Sequence, residues 1–408
     1  MLQQLDKGIF KQVPFRSKAD IYIINTCTVT SAANSKSRNA IKRAIASNSD
    51  ALIAVTGCYA QLKPHDIAGI AGVHFITGSN GKSKLAELIS NYVLLNTGKQ
   101  SLIDAMCCDS FEPACSYEGR TRGFLKIQDG CSYRCSYCTI PMARGNSRSA
   151  SMHQLLEQTE TMKASGVHEI VLTGVNIGDY GRGTHNTLID LLKELEHSGL
   201  PRIRLGSIEP DLLGDDIIDF MAQSSCLMPH FHIPLQSGSN NMLKLMRRRY
   251  NRQQFGDLVN GIRKKIPAAF IGIDVIVGVN GETEALFNES FQFVQSLDVS
   301  FLHVFSYSER ENTLALSFSP VVGAAEKARR SGMMHELSNQ KQNKFCISQI
   351  GQQTKVLWES RSKNNMMYGF TENYLKTETA FRSELVNTIT RVRLTGIADS
   401  GNMTVDIG

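Results

Sequence analysis

The chain has 408 residues, of which 42% are apolar and 20% charged, and a formal net charge of +6. That profile excludes a disordered or fibrous chain and points to a globular protein of two or three domains. The apolar runs, such as residues 270–279, are too short to cross a bilayer and no charged-then-apolar leader is visible, so no membrane partner and a cytoplasmic location are expected.

The charge is uneven. Residues 1–60 carry eight Lys or Arg against three Asp or Glu, which suits a polyanionic partner and equally a solvated basic face. Ten cysteines in a chain of this length do not make a secreted disulfide scaffold, a class that is short and dense in cysteine. Clustered cysteines in a reducing compartment point to metal or catalysis.

In chain order, residues 19–27 and 51–58 read as buried strands and 73–79 as a third. Residues 31–46 and 81–95 read as helices, and this alternation predicts a parallel sheet with crossover helices. Residues 97–122 show no clear period and read as a linker. From residue 123 strands recur at 123–130, 169–174, 202–208, 230–235, 271–278 and 301–307. Helical stretches separate them at 151–165, 186–197, 211–224, 251–265 and 283–297. Six β/α units are too few for an eight-stranded barrel, which takes about 250 residues. A six-stranded partial barrel or an open α/β sheet fits better. A long polar helix over 324–346 closes this region. Residues 350–408 hold short strands and turns, the pattern of a small OB-like barrel. Their seven Lys or Arg against six Asp or Glu give no electrostatic argument for RNA there. The fold class is therefore α/β, with expected boundaries at 1–96, a linker at 97–122, a central partial barrel at 123–349 and a β-barrel at 350–408.

Cys131, Cys135 and Cys138 form a C-x3-C-x2-C run in the loop after the first strand of the central region. Ligands of parallel α/β folds bind at the carboxyl ends of strands. Structural zinc takes four protein ligands, and neither Cys115 nor His153 stands at a usual zinc spacing. A [4Fe–4S] cluster held by three thiolates leaves one iron for a small molecule.

With Tyr137 before the third cysteine, this loop resembles that of the radical SAM enzymes. The resemblance narrows along the chain. "NTCTVT" (25–30), "VTGCYAQ" (55–61), "FLKIQDGCSYRCSYCTIPMARG" (124–145), "EIVLTGVNIGDYG" (169–181), "RLGSIEP" (204–210), "HFHIPLQSGSNNMLKLMRRRY" (230–250) and "DVIVGVNGET" (274–283) are similar, in order and spacing, to the methylthiotransferases. The stretches at 172–181 and 204–210 look most like the tRNA branch acting on N6-threonylcarbamoyladenosine at position 37. The isopentenyladenosine and ribosomal-protein aspartate branches are the alternatives. The resemblance implies two S-adenosylmethionine molecules per product, [4Fe–4S] clusters, a tRNA substrate, an electron donor such as flavodoxin or ferredoxin, and a C-terminal RNA-binding TRAM barrel.

Cys27 and Cys58 each follow a strand and precede a helix, about one βαβ unit apart. From spacing alone they are equally two small buried residues. The resemblance makes them ligands of an auxiliary [4Fe–4S] cluster that takes three cysteines. The strand and cysteine that open the family's first domain have no counterpart here, so that domain is expected to be truncated and the cluster labile, or replaced by a form that binds RNA without inserting sulfur. Cys107, Cys108 and Cys115 are the nearest substitutes.

By the same resemblance Tyr137, Gly174, Ser207, Glu209, Gln236 and Asp274 face the cofactor. Asp274 and Gly278 are placed at a strand end, against a plain reading as a cap and a turn. Arg144, and Arg248 and Arg249 of the basic run 247–249, are candidate contacts to RNA phosphate or the cofactor carboxylate, against a solvated helix end. His230 and His232 share a strand face and read as packed or hydrogen-bonded rather than as a metal pair.

Overall fold

The computed structural model describes residues 5–28, 30–79, 81–95, 102–104, 111 and 113–408. The chain divides into two compact units. One comprises residues 1–112, 130–146 and 308–316; the other comprises 113–129, 147–307 and 317–408.

In the first unit a sheet of order β1-β2-β3-β4 runs parallel throughout. Its strands are β1 (Ile21–Thr26), β2 (Leu52–Gly57), β3 (Phe75–Thr77) and β4 (Leu102–Asp104). The helices are α1 (Ser31–Ser47), α2 (Cys58–Leu62), α3 (Pro64–Ala68), α4 (Lys82–Leu94) and α5 (Ile140–Arg144). Both faces of β2 are covered, as parallel sheets require. Ile53 and Val55 pack with Tyr22, Ile24, Ile41 and Tyr59, while Leu52 and Ala54 pack with Phe75, Leu85 and Ile89. Helix α1 starts where Thr30 accepts a hydrogen bond from the Ala33 amide at 3.1 Å, an N-cap of the usual kind.

The second unit holds two sheets that continue one another. The first has order β10-β9-β6-β5 and the second β11-β12-β13. Their strands are β5 (Ala114–Ser116), β6 (Arg122–Lys126), β9 (Glu169–Thr173), β10 (Arg202–Leu205), β11 (His230–Gln236), β12 (Phe270–Val277) and β13 (Phe301–Ser306), with β7 (Gln128–Asp129) and β8 (Arg148–Ser149) as a short separate ribbon. Isolated parallel bridges, Ile203 to Leu227 and Ser207 to His232, join the β10 edge to β11. Six parallel strands thus form the partial barrel that the β/α count predicts, with β5 antiparallel at its edge. The helices between them are α6 (Met152–Ala164), α7 (Leu188–Glu196), α8 (Asp215–Gln223), α9 (Asn240–Leu245), α10 (Arg252–Lys265) and α11 (Glu284–Ser296), followed by α12 (Ala324–Gln349). Capping boxes at Ser151 and Asn251 fix two of the starts. Leu188, Leu191, Leu192 and Leu195 give α7 its single buried stripe.

Residues 350–408 close a five-stranded barrel of order β14-β15-β16-β18-β17. Its strands are β14 (Gln353–Lys363), β15 (Met366–Thr371), β16 (Lys376–Ala380), β17 (Ile389–Ile397) and β18 (Met403–Asp406). Its core is Val356, Trp358, Met367, Leu375, Leu394 and Met403, and Trp358 donates its indole N–H to Thr390 at 2.7 Å.

Two departures from the sequence reading follow from tertiary pairing. Within the stretch read as a linker, residues 102–104 extend the first sheet and 114–116 pair with β6. Residues 130–146, read as part of the central region, pack within the first unit.

The start of the β6/β9/β10 sheet carries a buried ion triad. Glu169 receives Arg204 at 3.1 Å and Arg202 at 2.9 Å, and all three side chains are almost fully buried. The guanidiniums also donate to the small barrel's 370–372 carbonyls: Arg202 to Phe370 at 3.0 Å, Arg204 to Glu372 at 3.2 Å. Burial pushes the Glu169 carboxyl up, but Arg204 and Arg202 outweigh it and hold it below its ordinary range. A carboxyl lowered in this way stabilises the fold above its unfolded pKa, and that contribution is lost as pH falls through the folded value. Glu169→Gln leaves two buried cations uncompensated and is expected to cost about 3–5 kcal/mol. Urea unfolding at neutral pH checks the cost. A pH series below about 4.3 is expected to show a smaller acid-linked loss of stability in the variant than in the parent.

Candidate active site

The C-x3-C-x2-C loop is shaped by its own backbone. The Cys131 amide donates to the Gly145 carbonyl at 3.0 Å, and the Cys138 amide to the Cys135 carbonyl at 3.2 Å. Two amides point at thiols: Tyr133 N–H at Cys131 Sγ and Ile140 N–H at Cys138 Sγ, each at 3.4 Å. Amide donors of this kind stabilise a thiolate and tune a cluster bound to it. Among the described residues one group of three or more His, Cys, Asp or Glu has all its ligand atoms within 4.8 Å, and the loop cysteines are not in it. Three thiols in one short loop, two of them met by backbone donors, fit a cubane cluster, which leaves its fourth iron without a protein ligand. Tyr137 is half-buried within the loop.

The second cysteine pair stands in the same unit. Thr26 of β1 is in register with Gly57 of β2, so Cys27 and Cys58 follow adjacent strand ends. Gly57 has φ +105°, and a Cβ there would lie 2.3 Å from the Thr26 carbonyl oxygen; glycine is required for the chain to turn into α2 at Cys58. Cys58 is buried and Cys27 exposed. Arg144, expected to reach RNA or the cofactor carboxylate, instead donates Nε–H to Cys58 Sγ at 3.2 Å. It ends α5, six residues after Cys138, and Ser79 secures that helix by donating to the Ala143 carbonyl at 2.7 Å.

Residues 308–316 strap the unit together. Ser308 Oγ accepts from the Ser31 amide at 2.9 Å, Glu311 pairs with Lys63, and the Ala315 amide donates to the Ser136 carbonyl at 2.9 Å. Arg310 donates to the Thr28 carbonyl. Burial lowers its pKa and the Cys27 thiol opposes that shift. The sequence reading missed Arg310; the charged run "SERE" directly after β13 is the only signal for it. Both cysteines suit a second cluster site, as a buried and an exposed thiol beside cationic groups. Cys107 and Cys108 lie outside the described residues, and Cys115 sits in β5 opposite Leu125.

In the second unit, polar groups gather past the carboxyl ends of strands. Gln128, fully buried, accepts the Val175 and Asn176 amides on one oxygen, each at 2.9 Å, and donates to Ser147 Oγ at 2.9 Å. Gly174 faces this pin: its Cβ would lie 2.9 Å from Gln128 Oε1. The buried side chains whose polar atoms have no protein partner include Asn176 after β9 (both amide atoms), Gln236 (Oε1) at the end of β11 and Asn280 (Oδ1) after β12. Gln236 also holds φ +68° where the β11 register shifts, the kind of strain that marks functional sites. Orphaned buried amides at strand ends fit a polar cofactor such as S-adenosylmethionine. Asn176 and Asn280 were not singled out from sequence, although both lie in the stretches that carry the resemblance.

Other expected residues are placed differently. Arg248 is buried and pairs with Glu209, with Tyr250 Oη at 3.0 Å from its Nε; it is committed inside the protein and not presented to phosphate. Arg249 is exposed. Burial pushes the Glu209 carboxyl up although Arg248 opposes it. Ser207 forms the backbone bridge to His232. Asp274 lies within β12 rather than at its end, opposite His303 and Pro234, and accepts from His232 Nε2 at 2.6 Å. His230 packs against Phe270 and Tyr374, and burial drives its pKa well down. Gly278 has φ +76° and its amide donates to Glu282 at 2.6 Å.

The partial barrel and the three-cysteine loop define a radical SAM protein, and the Radical SAM superfamily matches residues 125–294. Uncharacterized protein family UPF0004 matches residues 1–78. The threonylcarbamoyladenosine tRNA methylthiotransferase MtaB of Bacillus subtilis is 36% identical over 396 residues, 94% of this chain and 87% of that protein. The protein of the same name from Thermotoga maritima is 33% identical over 98% of this chain and 92% of its own length. A tRNA-2-methylthio-N(6)-dimethylallyladenosine synthase of Bacillus pumilus is 30% identical over 92% and 76%. Among solved structures, the radical S-adenosylmethionine methyltransferase TsrM of Kitasatospora setae matches with a TM-score of 0.52 at 14% identity, over 70% of this chain and 61% of that one, a likeness of fold. The chain belongs to the radical SAM methylthiotransferase family, whose cofactors are [4Fe–4S] and S-adenosylmethionine.

Arg144 donates a side-chain N–H to one thiol of the second pair. Arg144→Met keeps the bulk and removes the N–H, so iron bound at Cys27 and Cys58 is expected to be lost to a chelator several-fold faster. Chelation kinetics on the reconstituted protein check this, with the slower iron fraction, that of Cys131, Cys135 and Cys138, unchanged.

Proposed function

We propose that the chain is a tRNA methylthiotransferase that converts N6-threonylcarbamoyladenosine at position 37 to its 2-methylthio derivative. The observation that carries this reading is the 36% identity, across 94% of the chain, to a protein named for that nucleoside, in a chain whose cysteine loop fits a cluster. Cys131, Cys135 and Cys138 hold the first cluster, and Cys27 and Cys58 contribute to the second. When bound, the cluster and S-adenosylmethionine supply one-electron chemistry that produces an organic radical at the substrate. The chain's own part is positional. Gln128 orders the loop after β9, Asn176, Gln236 and Asn280 offer polar atoms at the strand ends, and the barrel walls keep water from the reacting atoms. The small barrel exposes Arg391 and Arg393 on β17, suited to RNA phosphate. A low-potential donor of the flavodoxin or ferredoxin class delivers the electrons, and the cytoplasm, where tRNA matures, is the location. No helix among the described residues is long and apolar enough to cross a membrane.

Iron and sulfide counting after anaerobic reconstitution tests the second cluster: about eight irons per chain support it, about four count against it.

Expression in a bacterial host that lacks the 2-methylthio form of this nucleoside is expected to produce it in digested tRNA, as read by mass spectrometry. Cys131→Ala abolishes it. Unchanged nucleosides with the parent chain overturn the reading, and methylthiolation of isopentenyladenosine instead moves the protein to that branch.

A further inference from the structure

Outside the cysteine sites, the described residues contain one compact set of metal-binding side chains: His232, Asp274 and His303, whose ligand atoms all lie within 4.8 Å of one another. They come from three adjacent parallel strands. His232 of β11 is in register with Gly272 of β12, and Asp274 of β12 with His303 of β13. Residues 232, 272, 274 and 303 therefore point to one face of the sheet. Sequence alone pairs His230 with His232, but His230 is turned into the Phe270 and Tyr374 rings and takes no part.

The set is preorganised. His232 Nε2 stands 2.6 Å from Asp274 Oδ1, and the His232 and His303 rings lie 4.7 Å apart between centroids at 47°. Gly272 leaves room beside them: a Cβ there would lie 3.4 Å from His303 Nε2. Two imidazoles and one carboxylate on one face are the donor set of open zinc and non-haem iron(II) sites, in which the remaining positions are left to water or substrate.

We infer that His232, Asp274 and His303 form a single-ion site for a divalent first-row metal such as Zn2+, separate from the iron–sulfur sites. The ion replaces the proton between His232 and Asp274. That proton leaves to solvent or moves to Nδ1 as the imidazole changes tautomer, and the ion takes the freed lone pair. Three protein ligands leave the fourth position open. The inference stands apart from the methylthiotransferase reading, since retention of metal tests it without turnover.

The reconstituted holoprotein is equilibrated with Zn2+, passed through a desalting column and assayed for zinc and iron by mass spectrometry. About one zinc per chain is expected beyond the cluster iron. Occupancy should fall at least tenfold in His303→Ala and His303→Gln, with iron content and melting temperature unchanged. Zinc K-edge absorption should show nitrogen and oxygen neighbours and no sulfur. Zinc that is not retained, is retained equally by both variants, or has sulfur neighbours overturns the site.

Discussion

Parallel strands deliver functional side chains at their carboxyl ends, and the Cys27–Cys58 pair depends on that constraint. The adjacent ends of β1 and β2 bring Cys27 and Cys58 side by side because the two strands run in register as far as Thr26 and Gly57. The chain must then leave the sheet at once. Gly57 makes that turn possible, since any side chain there would strike the Thr26 carbonyl. The same geometry places Asn176 and Asn280 past two strands of the partial barrel and Gln236 at the end of a third.

Leaving a sheet frees backbone amides, and a buried amide needs a partner. After β9 the protein uses one side-chain oxygen, on Gln128, for two of them. Buried polar atoms that stay unpaired cost about 1–3 kcal/mol each. The chain nonetheless retains them on Asn176, Gln236 and Asn280, all at strand ends, where a bound cofactor can recover that cost. Glu169 shows the opposite arrangement at the strand starts. There a buried charge has two arginine partners, and those arginines also satisfy carbonyls of the small barrel.

What could be read from the sequence follows locality. The helices after residue 150 begin at Ser151, Asn251 and Thr283 because caps and periodicity are local signals, and the three-cysteine loop is a contiguous motif. The β/α count gave the partial barrel for the same reason. The contacts of Arg144 and Arg248 could not be read from sequence, because an arginine near a motif reads the same whether it meets RNA, Cys58 or Glu209; only tertiary packing distinguishes them. Asp274 looked like a strand end because "DVIVG" alone does not show where β12 stops. Residues 308–316 gave little warning of their role, since nothing local records that they pack on segments almost three hundred residues earlier.

That strap explains why the first unit is assembled from three separate stretches of chain. A thiolate-bound iron–sulfur site carries negative charge, and a protein can compensate it with cations that are not ligands. Arg144 reaches Cys58 from the end of the helix that follows the first cysteine loop, and Arg310 lies in the field of Cys27 from the strap. The strap also donates to Ser136, between Cys135 and Cys138. Each thiol of the second pair is thus served by a residue whose placement depends on the first loop or on a segment bonded to it. Order in the first loop is passed to the second pair through α5 and the strap, by short chains of covalent and hydrogen bonds within one compact unit. A change that loosened residues 131–144 would therefore be felt at Cys58 before either thiol of the second pair was altered.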